Sequence, residues 1–309
     1  MILMQQMAVF FLIILLGYCC RKKEMWDDAT MKKISGLLVN VANPALILSA
    51  GINQESSIRG MDLLRALGIS LVLYAVFLVA APFLSTLLKV DAFDRPVYKA
   101  MIVFSNIGFM GFPVIQAAYG NEALLYASVF LLPNNFLLYT YAIKLMSGNG
   151  NRKQTTSWLD VLKKIFNVGV LACILSFILY LSGVHVPYVL AQANTYIANM
   201  TAPLSMLVIG DSMTKINLKE VFCNVRLLIF SGIKLILLPV IIIFALKAFG
   251  LGGHMLEVSM IVLSAPVGTM NVIIAQQYDG NYTLASKGVA ITTVLSVITM
   301  PLVAIITGV

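Results

Sequence analysis

Charged side chains are scarce in this sequence. They make up 11% of its 309 residues, against about 25% in an ordinary soluble protein. Hydrophobic residues reach 60%. This combination excludes a soluble two-domain protein and a disordered chain. Glycine stands at an ordinary 21 residues, which also excludes collagen. Acidic residues are the scarcer charged class, 13 against 21 Lys and Arg, for a net charge of +8. In a soluble protein that excess would suggest nucleic acid. Here the basic residues sit in short loops between apolar runs, as membrane topology requires, and no nucleic-acid partner is expected. Four cysteines are too few for a disulfide framework in a chain this long. Cys19 and Cys20 adjoin Arg21, Lys22 and Lys23, so all four read as thiols, these two facing a reducing cytoplasm. No phosphate-binding loop, nucleophile elbow or metal-spaced His/Cys cluster is present, so neither an enzyme nor a cofactor is expected.

What is there is a series of long apolar runs, at about 2–20, 34–52, 63–88, 97–119, 123–146, 161–183, 190–213, 225–249, 255–278 and 284–308. Each is near the ~20 residues that cross ~30 Å of hydrocarbon as a helix. The expected fold is an all-α membrane protein of ten transmembrane helices. The first run lacks a basic n-region and a cleavage site, and reads as a retained span. A polar hinge at 147–160 divides the chain into five-helix halves, 1–146 and 161–309. Of the 21 Lys and Arg, 17 fall in or beside the loops after spans 1, 3, 5, 7 and 9. The positive-inside rule places those loops in the cytoplasm and both termini outside, in a plasma or inner membrane.

The halves resemble each other at an offset of 159. Met101-Ile102-Val103-Phe104-Ser105 matches Met260-Ile261-Val262-Leu263-Ser264, and Asn40, Pro44 and Gly51 match Asn199, Pro203 and Gly210. Five spans per copy is an odd number, so the second copy is inverted relative to the first. Inverted repeats of this kind mark secondary transporters.

The corresponding spans 4 and 9 carry helix-breaking residues at mid-depth. Span 4 reads Ser105-Asn106-Ile107-Gly108-Phe109-Met110-Gly111-Phe112-Pro113, and span 9 reads Ser264-Ala265-Pro266-Val267-Gly268-Thr269-Met270-Asn271. Pro113 lacks an N–H and clashes with the carbonyl of residue 109, while Gly108 and Gly111 make that turn cheap to unwind. Unwound backbone survives in a bilayer only beside protein or a watery cavity. Helices 4 and 9 are therefore expected to break and cross near the midplane. Their half-helix N-termini would present N–H groups and positive dipole ends to an anion. Ser105, Asn106, Gly111, Pro113, Pro266, Gly268 and Asn271 form the candidate substrate site. Asn134, after Pro133 in span 5, either lines the same cavity or ties helices together. Lys234 is the clear intramembrane cation, either functional, supporting the charge of a substrate, or snorkelling to the interface. Asp211, near Lys215, reads as a solvated charge at a helix end.

From Asn106 through Met110-Gly111-Phe112-Pro113 to Ala118-Tyr119-Gly120, span 4 resembles the span-4 signature of the auxin efflux carrier family. That family includes plant auxin exporters and bacterial malate and malonate permease-like proteins. Pro44-Ala45-Leu46, the pair Lys234 and Pro239, Pro266, Gly268 and Ala275-Gln276-Gln277-Tyr278 fit its spans 2, 8 and 9. The resemblance implies a scaffold of helices 1, 2, 6 and 7, mobile transport helices 3–5 and 8–10, and a substrate site at the 4/9 crossover. By position it carries over Asn106, Pro113 and Pro266. Asn271 stands where plant carriers often have a second proline. The short hinge favours a bacterial-type carrier. Kinship alone implies a homodimer through the scaffold, and a fold shared with Na⁺-coupled bile acid symporters. The expected function is elevator-type export of small carboxylates. The alternative is a Na⁺-coupled symporter of an amphipathic anion, against which stands the lack of a buried acid.

Overall fold

A computed structural model of the chain describes residues 2–52, 58, 60–147, 158–216 and 218–309. Most of the expected hinge, residues 148–157, lies outside the described residues. The described chain is helical, without a named strand. Six helices are long and apolar enough to cross a bilayer: Leu3–Lys22, Asp28–Ile52, Gly60–Leu87, Ile107–Ser147, Val225–Ala248 and Tyr282–Thr307. Val168–Ser182 and Gly253–Ser264 are shorter apolar helices. Tyr188–Asn199 and Thr201–Met213 follow one another through Met200. Leu12, Val79, Phe83 and Ile298 lie more than half exposed on the outside. An apolar exterior of this kind suits lipid. The protein is a multi-pass membrane protein.

Ile107–Ser147 has 41 residues. As one straight helix it would run ~60 Å, twice the hydrocarbon thickness. Gly120 resolves this with φ 81° and ψ −172°, open to glycine because it lacks Cβ, and the chain bends there. The bend falls in the gap between the fourth and fifth apolar runs.

Two close helix contacts are made by glycine. A Cβ on Gly210 would strike the Ile14 carbonyl oxygen and lie 2.8 Å from the Tyr18 nitrogen, so Thr201–Met213 sits against Ile2–Lys22 backbone to backbone. A Cβ on Gly51 would strike the backbone of Ser176, so Asn43–Ile52 sits equally close to Val168–Ser182. Small residues allow such approaches in membranes, where van der Waals contact drives association. Buried hydroxyls on Ser70, Ser85, Ser128, Ser231 and Ser259 turn back onto carbonyls three or four residues earlier, so no polar group need face lipid.

Helices widen into single π turns at four places, Leu38–Ala42, Ile107–Gly111, Leu138–Ala142 and Ile233–Leu237. Three of them end two residues before a proline: Pro44, Pro113 and Pro239. A proline ring clashes with the carbonyl four residues earlier, here that of Asn40, Phe109 or Leu235, each inside the widened turn. The π turn moves that carbonyl aside and keeps the helix continuous. Pro113 therefore widens its helix. The interruption lies upstream, at residues 104–106.

Candidate functional site: a crossover of two interrupted helices

The helix Arg95–Val103 stops at Phe104, whose backbone is extended (φ −103°, ψ 97°). Helical structure resumes at Ile107. In the second half Gly253–Ser264 stops at Ala265 (φ −62°, ψ 144°), and Met270–Gln277 resumes after Thr269. The two extended segments meet as an antiparallel bridge between Ser105 and Val267. Asn106 N–H donates to the Pro266 carbonyl at 2.7 Å, and Gly268 N–H donates to the Phe104 carbonyl at 2.9 Å. Each break thus satisfies backbone groups of the other, which a low-dielectric interior demands. Gly268 permits the approach: a Cβ there would lie 3.0 Å from the Ser105 carbonyl oxygen. Val267 N–H is taken by Thr292 Oγ1 at 3.0 Å.

A cavity of about 860 Å³ reaches this crossover, within the range of small-molecule sites. Ser105, Asn106, Gly108, Gly268 and Thr269 line it on the crossover side. Lys215, just past the end of Thr201–Met213, and Tyr282, at the start of Tyr282–Thr307, also line it, beside the loops after the seventh and ninth apolar runs. Lys215 is the one charged residue among its described lining. Asn106 is 5% exposed and caps the resumed helix, its Oδ1 accepting from Phe109 N–H at 3.2 Å. Its Nδ2 has no protein partner. An unpaired buried amide donor at a helix N-terminus, where the dipole is positive, is fitted to a negative ligand atom.

Of the other expected site residues, Asn134 lines the cavity and also binds a neighbour, accepting from Tyr74 Oη–H at 3.0 Å. Asn271 is 1% exposed and stands outside the lining; its Nδ2 donates to the carbonyls of Phe104 at 3.0 Å and Gly268 at 2.8 Å. It fastens the crossover. Gly111, Pro113 and Pro266 also stay behind the cavity wall. Sequence reasoning missed Asn43, Tyr139, Asn167 and Thr293, which line the cavity. Asn43 carried a signal, a polar side chain just before Pro44 in an apolar run. Thr293 carried none, because its hydroxyl bonds Val289 like any helical threonine.

Lys234 does not snorkel. It is fully buried, and Nζ donates to Ser105 Oγ at 2.7 Å and the Leu263 carbonyl at 3.4 Å, with the Phe77 ring centroid 4.7 Å away. It links both breaks from behind. Asp211 is not solvated either, at 1% exposed. The indole of Trp26 donates to its Oδ1 at 2.9 Å, and Arg21 and Lys215 each approach to 3.6 Å. Lys215 reaches it from four residues along the chain, while Arg21, at the end of Ile2–Lys22, and Trp26, in the turn that follows, supply the rest. Cys19, Cys20, Cys173 and Cys223 are free thiols.

Comparison with known proteins fits this arrangement. A "Putative malonate transporter" of Rhizobium meliloti is 26% identical over 304 residues, covering 94% of this chain and 91% of the relative. An "Uncharacterized transporter" of Methanocaldococcus jannaschii is 24% identical, covering 98% of both chains. One of Escherichia coli K12 is 22% identical, covering 94% of this chain and 93% of the relative. The family described as Membrane transport protein matches residues 2–304. The family and these relatives are transporters and not enzymes, and this chain belongs to that Membrane transport protein family, the auxin efflux carrier-like group.

Proposed function

We propose that this protein is a secondary carrier that exports small organic anions, with carboxylates as the substrate class. The observation that carries the reading is the unpaired Asn106 amide at the N-terminus of a resumed helix, on a residue that lines a cavity. A carboxylate oxygen accepts such a bond, and the dipole favours its charge. The relative described as a malonate transporter has a name consistent with this chemistry.

The scaffold in this reading comprises Ile2–Lys22, Asp28–Ile52, Val168–Ser182 and the pair Tyr188–Asn199 and Thr201–Met213. The remaining long helices carry the crossover and slide against it. Support for two inverted repeats comes from Gly51 and Gly210, equivalent at the offset of 159. Gly51 joins the second apolar run to the sixth, and Gly210 joins the seventh to the first. Exchanging the halves turns one contact into the other. The cavity borders the basic loops, which the positive-inside rule puts in the cytoplasm, so substrate enters from inside. An inside-negative potential favours exit of an anion by about 2.3 kcal/mol per charge per 100 mV, so downhill export needs no coupled ion.

Counterflow of malonate in proteoliposomes at imposed potentials tests the reading. Flux that accelerates when the substrate-loaded side is made negative is expected. Absence of carboxylate flux at every potential would overturn it.

A further inference from the structure

The crossover segments bring no lysine or arginine to the cavity lining; its one described cation, Lys215, stands just past the end of Thr201–Met213 and is paired with Asp28 at 2.8 Å and Asp211 at 3.6 Å. Yet a fully buried lysine lies directly behind the wall. Its Nζ has three partners that each favour positive charge: the Ser105 hydroxyl oxygen, the Leu263 carbonyl and the face of Phe77. It also sits between the C-terminal ends of Arg95–Val103 and Gly253–Ser264, where helix dipoles are negative. Ser105 is the one of these contacts that lines the cavity. A hydroxyl has one proton and two lone pairs. Because Ser105 Oγ accepts from Lys234, its own proton remains to be donated, strengthened by the charge behind it.

We propose that Lys234 and Ser105 form one anion-recognition unit, in which the buried lysine reaches the substrate through the serine hydroxyl, and that this unit selects singly charged carboxylates. The selection follows from charge balance. One positive charge is delivered to the crossover. A monoanion leaves that end neutral, whereas a dianion brings an uncompensated charge into a low-dielectric wall. For a small dicarboxylate such as malonate, the recognised form is the singly protonated one. Ser105 is then a substrate-contacting residue and Lys234 a positioning residue that acts through it. The inference rests on the proposed carboxylate transport.

The test measures malonate counterflow in proteoliposomes between pH 5 and 8 for the full chain and for S105A, S105T, K234Q and the S105A/K234Q pair. For the unchanged chain, KM for total malonate is expected to fall as pH is lowered and hydrogen malonate accumulates. S105A should raise KM at low pH by about tenfold and flatten that pH profile. S105T, which keeps the hydroxyl, should restore both. The double variant should be no worse than K234Q alone, because the two residues act in series. Unchanged KM in S105A, additive losses in the double variant, or a KM that falls as pH rises would each overturn the proposal. If K234Q does not fold, S105A and S105T still decide it. Failure of the unchanged chain to move any carboxylate would instead remove the underlying transport reading.

Discussion

The proposed reading gives Asn106 two tasks, one at each end of its amide, and substitutions can separate them. Its Oδ1 accepts from Phe109 N–H at 3.2 Å, an N-cap bond, while Nδ2 has no protein partner. Asn106→Ala removes both. Loss of an N-cap costs about 1 kcal/mol of stability. Loss of a donor to a charged ligand costs about 1.5–3 kcal/mol of binding, or roughly 10- to 150-fold in affinity. Asn106→Ser keeps a capping oxygen, since serine and asparagine cap equally well, but has no amide to offer. The Ala variant is therefore expected to lose stability and affinity together. The Ser variant should melt like the unchanged protein in detergent yet bind malonate as poorly as Ala, by counterflow KM and by ligand-induced thermal stabilisation. Full affinity in Asn106→Ser would refute the assignment of Nδ2 to the substrate. Equal melting of Ala and Ser would refute the capping argument.

Gly210→Ala and Gly51→Ala each place a methyl group against the backbone of a neighbouring helix; both should destabilise by at least the ~1–3 kcal/mol of overpacking, read as lowered melting temperature and folded yield. Trp26→Phe removes the indole donor from the buried Asp211 carboxylate and should cost about 1–3 kcal/mol, seen as earlier thermal unfolding with substrate KM unchanged. Asp27, just before Asp28–Ile52, caps that helix by accepting from Thr30 N–H at 2.8 Å, and its hydrogen bonding to Thr30 holds it below the ordinary carboxyl value of 3.8. Because the folded pKa is the lower one, its contribution is present above that ordinary value and lost as pH falls below it. Asp27→Asn, which caps without a titrating carboxyl, should therefore reduce the decline in stability between neutral pH and pH 3, a decline equal to that of the unchanged chain arguing against the cap.

The all-helical membrane fold was legible because apolar runs near 20 residues long have few alternatives in a chain so poor in charge, although six helices among the described residues, against ten expected spans, are long and apolar enough to cross. The crossover was legible in its composition but not in its register. Pro266 marked the second break directly. Pro113 misled: its steric conflict was relieved by widening one turn, a solution that depends on how the neighbouring helix is supported. The side chains were harder. Asn106 and Asn271 look alike in sequence, both polar residues beside a break. One faces a cavity and the other binds two carbonyls, and only the rotation of each resumed helix decides which. Asp211 was misread as solvated, and Lys234 was left between a functional and a snorkelling role, for a shared reason. Each is buried by partners more than a hundred residues away, Ser105 and Trp26, and no local pattern announces a partner that distant.

The bridge between Phe104–Asn106 and Pro266–Gly268 has a mechanical meaning. Two backbone hydrogen bonds, doubled by the Asn271 amide, rivet the interrupted helices in a setting where a bare N–H or C=O would cost several kcal/mol. Prying them apart is therefore the expensive way to let cargo through. In the proposed sliding mechanism, such a rivet keeps the seat rigid while the whole seat shifts, so traffic is governed by the surfaces along which it glides.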